Sequence, residues 1–311
     1  MNTVPILFTF DQSLEMPACV CMTSLLENAK QDTFYDIFVL HDPLCDFSKS
    51  PLHNLPKIYG NSKLTFREVV GEFVGGYEIR EIPETAYYRL ISPELIPEYD
   101  KFLYSDVDVI FREDLSRYYQ VGLSDNYFGA VDTCSVLRSD YQEYLAKEYG
   151  YDYRNGYYYS GNLVINAKQL LKEGKLNEFR ELGKNNYHQQ DMTIINLACK
   201  GRITPLPPAY CLTTPLYSLM VNKRKDMESI YGVEEIEHAL KSGIVHYNGA
   251  KPWNGPCPNM DIWWNYYRKS LVYNEKFTHD FWIGQRDSLM KMPLMKRIKQ
   301  LFRYPLDMFI H

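Results

Sequence analysis

The sequence lacks the features that mark secreted, zinc-binding and membrane-spanning proteins. Its seven cysteines are scattered and include no C-x-x-C pair, which argues against a disulfide framework or a zinc site and fits reduced thiols. The first residues, MNTVPILFTFDQ, hold no basic region followed by a long apolar core, so we predict no signal peptide. No apolar run approaches the roughly 20 residues that a membrane-spanning helix needs. We therefore expect a cytoplasmic protein.

Positive charge is also scarce. The 311 residues carry 34 lysines and arginines against 39 aspartates and glutamates, a net charge of −5. Proteins that bind nucleic acid are usually basic, so we expect no nucleic-acid partner. The residue in excess is tyrosine, with 27 copies, which either reflects composition alone or supplies rings that stack on sugars or bases.

Alternating apolar segments predict an α/β fold. Residues 4–10, 34–42 and 62–69 have the pattern of buried strands, and residues 16–28 have helical character. Strand, helix and strand at this spacing predict parallel crossovers in a layered α/β domain. Later segments repeat these patterns, with helices at 85–96 (broken by Pro93) and 188–201, and strands at 127–132, at 157–171 (helical after Asn166) and from 242 into a Gly/Pro loop.

Two aspartates interrupt an apolar segment in the middle of this domain. Asp106 and Asp108 flank Val107 in the stretch KFLYSDVDVIF, which otherwise has the pattern of a buried strand. An unpaired buried carboxylate costs several kcal/mol, so either the strand ends here or a positive group lies on the pair. Ligands of α/β sheets bind beyond the carboxyl ends of strands. Two carboxylates there can hold a divalent cation whose shell is completed by phosphates.

A second polar cluster follows the strand that begins at residue 242. The stretch HYNGAKPW places His246 at a strand end, followed by Gly249 and Lys251. Imidazole is a good ligand for Mn²⁺, glycine lets the backbone approach a phosphate, and lysine supplies a point charge for it. Taken with the aspartates, these residues predict a site that grips a metal–diphosphate.

The order of seven segments resembles glycosyltransferase family 8, which includes bacterial lipopolysaccharide galactosyl- and glucosyltransferases and glycogenin. The segments span residues 4–255 and read ILFTFDQS, YYRL, FLYSDVDVIF, GAVD, YYYSGNLVIN, HQQDMTIIN and HYNGAKPW. The resemblance implies a Rossmann-like GT-A fold and a UDP-sugar donor. It also implies Mn²⁺, or Mg²⁺ in its place, and hexosyl transfer with retention of anomeric configuration.

The resemblance also implies a role for individual positions. It assigns the metal to Asp106, Asp108 and His246. It assigns the uridine, the phosphates and the rest of the donor to Thr9, Asp11, Arg89, Asp106, Val107, Gly249 and Lys251. It assigns the sugar hydroxyls and catalysis to Asp132, Gln190 and Asp191, with Gln190 supporting the oxocarbenium-like centre.

Four positions depart from the family pattern. Tyr159 stands where asparagine is more frequent, and Gln189 where the family has the first aspartate of D-Q-D. The loop between Gly249 and Lys251 is one residue short, and Leu14 replaces a tyrosine that commonly lies against uracil. The donor hexose therefore remains either galactose or glucose, and the reach of Lys251 is altered.

Two mechanisms and two other protein classes stay open at this point. Retention follows either from attack by the acceptor on the same face, or from double displacement through Asp132 or Asp191. A nucleotidyltransferase would carry a glycine-rich loop after its first strand, whereas FTFDQSLEM contains no glycine. A catalytically impaired UDP-sugar-binding module would fit the altered sugar positions, but the acidic pair, His246 and Lys251 are all present.

The C-terminal segment, residues 288–311, differs from the rest. Its cations, Lys291, Lys296, Arg297, Lys299 and Arg303, accompany an apolar stripe of Leu294, Ile298, Leu301 and Phe302. This pattern predicts either an interfacial helix on the inner face of an anionic membrane or a helix packed on the body.

We expect one domain at 1–265, divided into a nucleotide-binding half (1–110) and an acceptor and sugar half (111–265), and a helical tail at 266–311. The expected acceptor is a saccharide or lipid-linked glycan, such as a lipopolysaccharide or other cell-surface precursor.

Overall fold

A computed structural model describes residues 2–71 and 84–303 of the chain. Its strands are β1 (Asn2–Thr9), β2 (Thr33–His41), β3 (Ser62–Glu68), β4 (Phe102–Ser105), β5 (Val109–Ile110), β6 (Phe128–Ala130), β7 (Asn162–Ile165), β8 (Ile203–Pro205), β9 (Leu212–Thr213) and β10 (Val245–His246). Its α-helices are α1 (Glu15–Glu27), α2 (Leu55–Tyr59), α3 (Tyr88–Leu95), α4 (Ser116–Tyr119), α5 (Ser139–Tyr149), α6 (Ala167–Lys172), α7 (Lys175–Leu182), α8 (Gln190–Ala198), α9 (Thr214–Asn222), α10 (Arg224–Tyr231), α11 (Val233–Ser242), α12 (Met260–Lys269), α13 (Glu275–Lys291) and α14 (Leu294–Arg303).

The main sheet has the order β3-β2-β1-β4-β7-β6-β8, and β1 to β4 run parallel. Strand β1 is apolar at successive positions because both faces of the sheet are covered. Ile6 and Phe8 pack in one cluster with Met22 of α1, whereas Leu7 packs in another with Leu90 of α3. The predicted α/β architecture is therefore confirmed.

A second, three-stranded sheet lies beside the carboxyl end of β4. Its order is β5-β10-β9, in which β10 runs antiparallel to β5 and parallel to β9. The register places His246 opposite Val109 and beside Thr213. This pairing brings the end of β10 next to the acidic pair that precedes β5.

One expectation about local structure was wrong. Helix α3 continues through Pro93 to Leu95 instead of breaking there. Proline cannot donate to the carbonyl of Arg89, but the hydroxyl of Ser92 does so at 2.7 Å, which keeps that buried carbonyl satisfied. The alternative that a strand ends at the acidic pair is confirmed, since β4 ends at Ser105 and β5 begins at Val109.

The described part of the chain ends in three helices, α12, α13 and α14. Helix α12 runs through residue 265, and its Trp264 packs against Phe277 and Phe281 of α13. In α14 the side chains of Leu294 and Met295 are exposed. The side chains at 299–303, and all of 304–311, lie outside the described residues, so the predicted contribution of Leu301 and Phe302 to the stripe cannot be placed. Within 2–71 and 84–303, no helix combines the length and apolarity needed to cross a bilayer.

Candidate metal and donor site

Three predicted metal ligands meet at the junction of the two sheets. One ligand atom each from Asp106, Asp108 and His246 lie within 4.8 Å of one another. Nε2 of His246 is 3.2 Å from Oδ1 of Asp108 and 3.5 Å from Oδ2 of Asp106. Two carboxylate oxygens and one imidazole nitrogen suit a divalent cation such as Mn²⁺ or Mg²⁺. The donor set therefore fits the implied metal.

Backbone pairing holds these ligands in place. The N–H of Asp106 donates to the carbonyl of Gly161 at 2.8 Å, which continues the antiparallel pairing of β4 with β7. The N–H of Tyr247 donates to the carbonyl of Asp108 at 2.9 Å, which continues the pairing of β10 with β5. Asp106 thus directly follows β4, Asp108 directly precedes β5, and His246 ends β10, the central strand of the second sheet.

Two cations compensate the charge of the acidic pair. The ammonium of Lys251 donates to Oδ2 of Asp108, and also to the carbonyl of Tyr247 at 2.7 Å. Burial by itself would raise the pKa of Asp108. The positive charges of His246 and Lys251 outweigh burial and hold this pKa well below its usual value. Burial likewise favours neutral His246, yet Asp108 holds the pKa of that imidazole well above its usual value. The acidic pair therefore attracts positive charge strongly.

Arg89 is the second cation, and it is buried beside Asp106. Its guanidinium is 2.9 Å from Oδ1 of Asp106 and 3.2 Å from Oδ2 of Asp191, and its carbon lies 4.3 Å from the centre of the Tyr104 ring. A buried charge needs such partners. Arg89 is only 6% exposed, and its guanidinium also donates to the carbonyls of Ala86 at 2.8 Å and Ser160 at 2.9 Å, so the described contacts of this predicted donor residue lie within the protein. It links the metal ligands to the start of α8.

Tyr104 is a site residue that sequence reasoning missed. Its hydroxyl donates to Oδ1 of Asp106 at 2.6 Å and lies 3.1 Å from Oγ1 of Thr9. Tyr104 and Asp106 are two residues apart, so alternation along an extended segment could have placed them on one face. Thr9 is buried at the end of β1, as expected for a residue at the carboxyl edge of the sheet.

The other residues predicted to bind the nucleotide, Asp11, Val107 and Gly249, have different surroundings. Asp11 accepts hydrogen bonds from the backbone N–H and the hydroxyl of Ser13, and caps the short 3-10 helix that includes Leu14. Val107 is buried in the hydrophobic core. A Cβ at Gly249 would meet no atom within 4 Å, so nothing in the protein itself requires glycine there.

Gln190 and Asp191 begin helix α8, and both are buried. Gln190 has a φ of 38°, in the left-handed region that non-glycine residues seldom adopt. Such a conformation costs about 1–3 kcal/mol and is concentrated at functional sites. Next to it, the hydroxyl of Tyr141 donates to Oε1 of Gln189 at 2.9 Å. The strained turn holds two of the predicted catalytic residues, Gln190 and Asp191, at the start of this helix, with Gln189 directly before them.

Asp132 follows β6 and accepts hydrogen bonds from two backbone groups, the N–H of Cys134 at 2.6 Å and the N–H of Tyr157 at 3.3 Å. Burial outweighs these bonds and raises the pKa of Asp132 from 3.8 to about 6. The hydrogen bonds and ion pairs described above join Asp106, Asp108, His246, Lys251, Arg89 and Asp191 in one network. The partners of Asp132 are separate from that network.

The raised pKa predicts that Asp132→Asn stabilises the protein at neutral pH. Between about pH 4 and pH 6 the native state binds more protons than the unfolded state, so ionisation of Asp132 lowers the free energy of unfolding as the pH rises. The neutral amide avoids this loss of stability but has one hydrogen-bond acceptor fewer. The net increase in the free energy of unfolding is therefore about 2 kcal/mol at about pH 7.5. Urea unfolding at about pH 7.5 and at about pH 4.5 measures it. A gain of equal size at both values would contradict the assignment.

Comparison with known proteins connects this site to an enzyme family. The model of "Glycosyl transferase family 8" matches residues 5–257, which is most of the chain. A lipopolysaccharide 1,2-glucosyltransferase of Escherichia coli is 24% identical over 269 residues, which cover 81% of this chain and 74% of the relative.

Two solved structures share the fold. The galactosyltransferase LgtC, crystallised with donor and acceptor sugar analogues, superposes with a TM-score of 0.70 at 24% identity, over 89% of this chain and 99% of LgtC. The bifunctional glycosyltransferase WbbM superposes with a TM-score of 0.72 at 22% identity, over 90% of this chain. This chain spans 52% of WbbM, about half of its length. The GT-A fold with a helical C-terminus is thereby confirmed.

Proposed function

Because the chain belongs to glycosyl transferase family 8, which makes it a hexosyltransferase, we propose its reaction in finer terms. The donor is a UDP-hexose carrying glucose or galactose, a divalent cation is required, and the sugar is transferred with retention of configuration. The observation that carries the proposal is the meeting of Asp106, Asp108 and His246 beside the ammonium of Lys251.

The cation, Mn²⁺ or Mg²⁺, would be held by Asp106, Asp108 and His246. Bound there, it would act as a Lewis acid toward the leaving diphosphate. Lys251 would turn its ammonium from Asp108 to the same diphosphate, with the backbone at Gly249 beside it. Fixed charges in such a site are worth several kcal/mol of barrier. Removing these charges should therefore lower the turnover rate more than the stability of the fold.

The remaining predicted residues would orient the donor. Thr9 and Asp11, with Val107 nearby, would receive the uridine at the carboxyl end of β1. Arg89 would hold Asp106 and Asp191 in place from below, which is the role that its buried ion pairs support. Asp191 and Asp132 would accept hydrogen bonds from hydroxyls of the sugar.

Retention would follow from attack by the acceptor hydroxyl on the face that the diphosphate leaves, with the departing phosphate taking the proton. Gln190, held in its strained conformation, would support the positive charge that develops on the sugar ring. An amide is a poor nucleophile, so a covalent intermediate would have to form on Asp132 or Asp191. Trapping a sugar on either carboxylate by mass spectrometry would replace this mechanism with double displacement.

A panel of UDP-sugars tests the proposal. We expect UDP release from UDP-glucose or UDP-galactose when Mn²⁺ is present, and a loss of at least about 100-fold with EDTA, because the diphosphate then leaves without compensation. Release is measured by a coupled assay, with a heat-inactivated sample as control. Tight binding of UDP with no turnover on any sugar would favour a catalytically impaired binding module.

The acceptor and the tail form a further part of the proposal. We propose that the acceptor is a lipid-linked or cell-surface glycan, and that the tail after residue 265 touches the inner face of the cytoplasmic membrane. The exposed apolar side chains of Met290, Leu294 and Met295 support this, since exposed Lys291 and Lys296 lie among them. On this proposal the halves 1–110 and 111–265 hold the nucleotide and the acceptor.

Vesicle binding measures the membrane contact. Co-sedimentation with phosphatidylglycerol vesicles should fall at least about tenfold in a Lys291→Glu, Lys296→Glu double variant, because each cation near an anionic surface contributes about 1 kcal/mol. The matched control reverses Lys147 and Lys172, two exposed lysines on the body of the protein. Equal losses in both variants, or equal binding to neutral vesicles, would mean that the tail has no specific role at the membrane.

A further inference from the structure

The two ring nitrogens of His246 have different surroundings. Nε2 faces the carboxylates of Asp106 and Asp108, as the third corner of the proposed metal site. Nδ1, on the other side of the ring, lies 3.6 Å from Sγ of Cys211. Cys211 is fully buried directly before β9, which pairs with β10. The thiol is therefore the hydrogen-bonding neighbour of the ring nitrogen that faces away from the acidic pair.

The edge of the same ring lies against Gly161. A Cβ at this position would come within 2.2 Å of Cε1 of His246 and 2.9 Å of its Nδ1. It would also come within 2.6 Å of Oδ2 of Asp106. Real Cβ atoms do not approach other atoms so closely, so any side chain here would displace two of the three ligands. Gly161 is glycine because the ligands occupy the space of its side chain.

We propose that Cys211 and Gly161 are positioning residues for the metal ligands. Cys211 accepts the Nδ1–H of His246, which leaves the lone pair of Nε2 directed at the cation. Gly161, directly before β7, leaves the space that the ring and the carboxylate of Asp106 share. This inference rests on the proposed function, because it concerns the cation that the function requires.

The identity of the partner at Nδ1 has a consequence for affinity. A histidine that binds a metal usually donates its second N–H to a carboxylate, a backbone carbonyl or water. A thiol is a weaker acceptor than any of these, and full burial of Cys211 keeps water from replacing it. Loss of the sulfur therefore leaves Nδ1–H without a partner and His246 free to turn.

Metal affinity measured without substrate tests the proposal. Manganese binding is followed by the electron paramagnetic resonance of free Mn²⁺, on the full chain, with thermal unfolding recorded for each variant. We expect Cys211→Ala to weaken Mn²⁺ binding about 10- to 100-fold, the usual effect of removing such a partner. Cys211→Ser restores an acceptor and should recover most of the loss. Gly161→Ala should weaken binding at least as much as Cys211→Ala.

Two matched variants separate positioning from general packing. Cys199→Ala removes another fully buried thiol, and Gly122→Ala adds a Cβ that meets no atom within 4 Å. Both should bind Mn²⁺ as the wild type does. Wild-type affinity in Cys211→Ala and Gly161→Ala, or equal losses in the matched variants, would overturn the inference alone. A wild-type protein that binds no divalent cation would overturn the metal requirement of the proposed function and this inference with it.

Discussion

Replacing Asp108 by asparagine should reduce the rate of sugar transfer by about three orders of magnitude and abolish its response to Mn²⁺. The carboxylate of Asp108 contacts both His246, another predicted metal ligand, and Lys251, the predicted diphosphate-binding cation. The amide keeps the size of the side chain but carries no charge for a cation. A Lewis acid at a leaving group is worth several kcal/mol, and each 1.4 kcal/mol is about a factor of ten in rate.

The matched control for this variant is Asp36→Asn. Asp36 is a buried carboxylate on β2 that accepts a hydrogen bond from the hydroxyl of Tyr99 at 2.7 Å, away from the site. Its loss should change stability and leave turnover within about a factor of two. Turnover of Asp108→Asn within tenfold of the wild type, with Mn²⁺ still stimulating it, would show that the acidic pair does not hold the cation.

The parts of the fold that the sequence predicted are those with strong local patterns. Strands β1 and β2 are parallel and buried along most of their length, so each appears as a mainly apolar segment, whereas the edge strand β3 is only partly buried and has a weaker pattern. Asp106 and Asp108 stood out for the same reason, since charge within such a run demands an explanation. The hypothesis of a positive partner proved necessary, because Arg89 and Lys251 both pair with these aspartates.

Other features depend on contacts that no local pattern records. Strands β5, β9 and β10 have two residues each, too few for a period, so the sequence could place His246 at a strand end but could not show that β10 pairs with β5 beside the aspartates. The pairing of Arg89 with Asp191 joins residues about a hundred positions apart in the sequence. The antiparallel direction of β7 likewise follows from how the chain returns, not from its composition.

Removing the charge of Lys251 should raise the affinity for Mn²⁺ and lower the rate of sugar transfer. In the structure its ammonium occupies Asp108, one of the ligands that a cation needs. Lys251→Met, which keeps the length of the side chain but removes the charge, should raise Mn²⁺ affinity without nucleotide about tenfold. The physical reason is that a competing unit charge at about 4 Å interacts with the carboxylate by a few kcal/mol near a protein surface. The same variant should lower transfer about 100-fold, because the diphosphate loses a fixed charge as it departs.

Only a lysine whose ammonium moves from Asp108 to the diphosphate explains both higher Mn²⁺ affinity and slower transfer in Lys251→Met. A purely structural lysine would lower both quantities through misfolding, and a lysine that never leaves Asp108 would change metal affinity alone. Lys101→Met is the matched control, since Lys101 is also partly buried and donates to a backbone carbonyl, that of Val121, at 3.3 Å. Calorimetric titration with Mn²⁺, with and without UDP, separates the two effects. Unchanged transfer in Lys251→Met would mean that the shortened loop keeps the ammonium from the diphosphate.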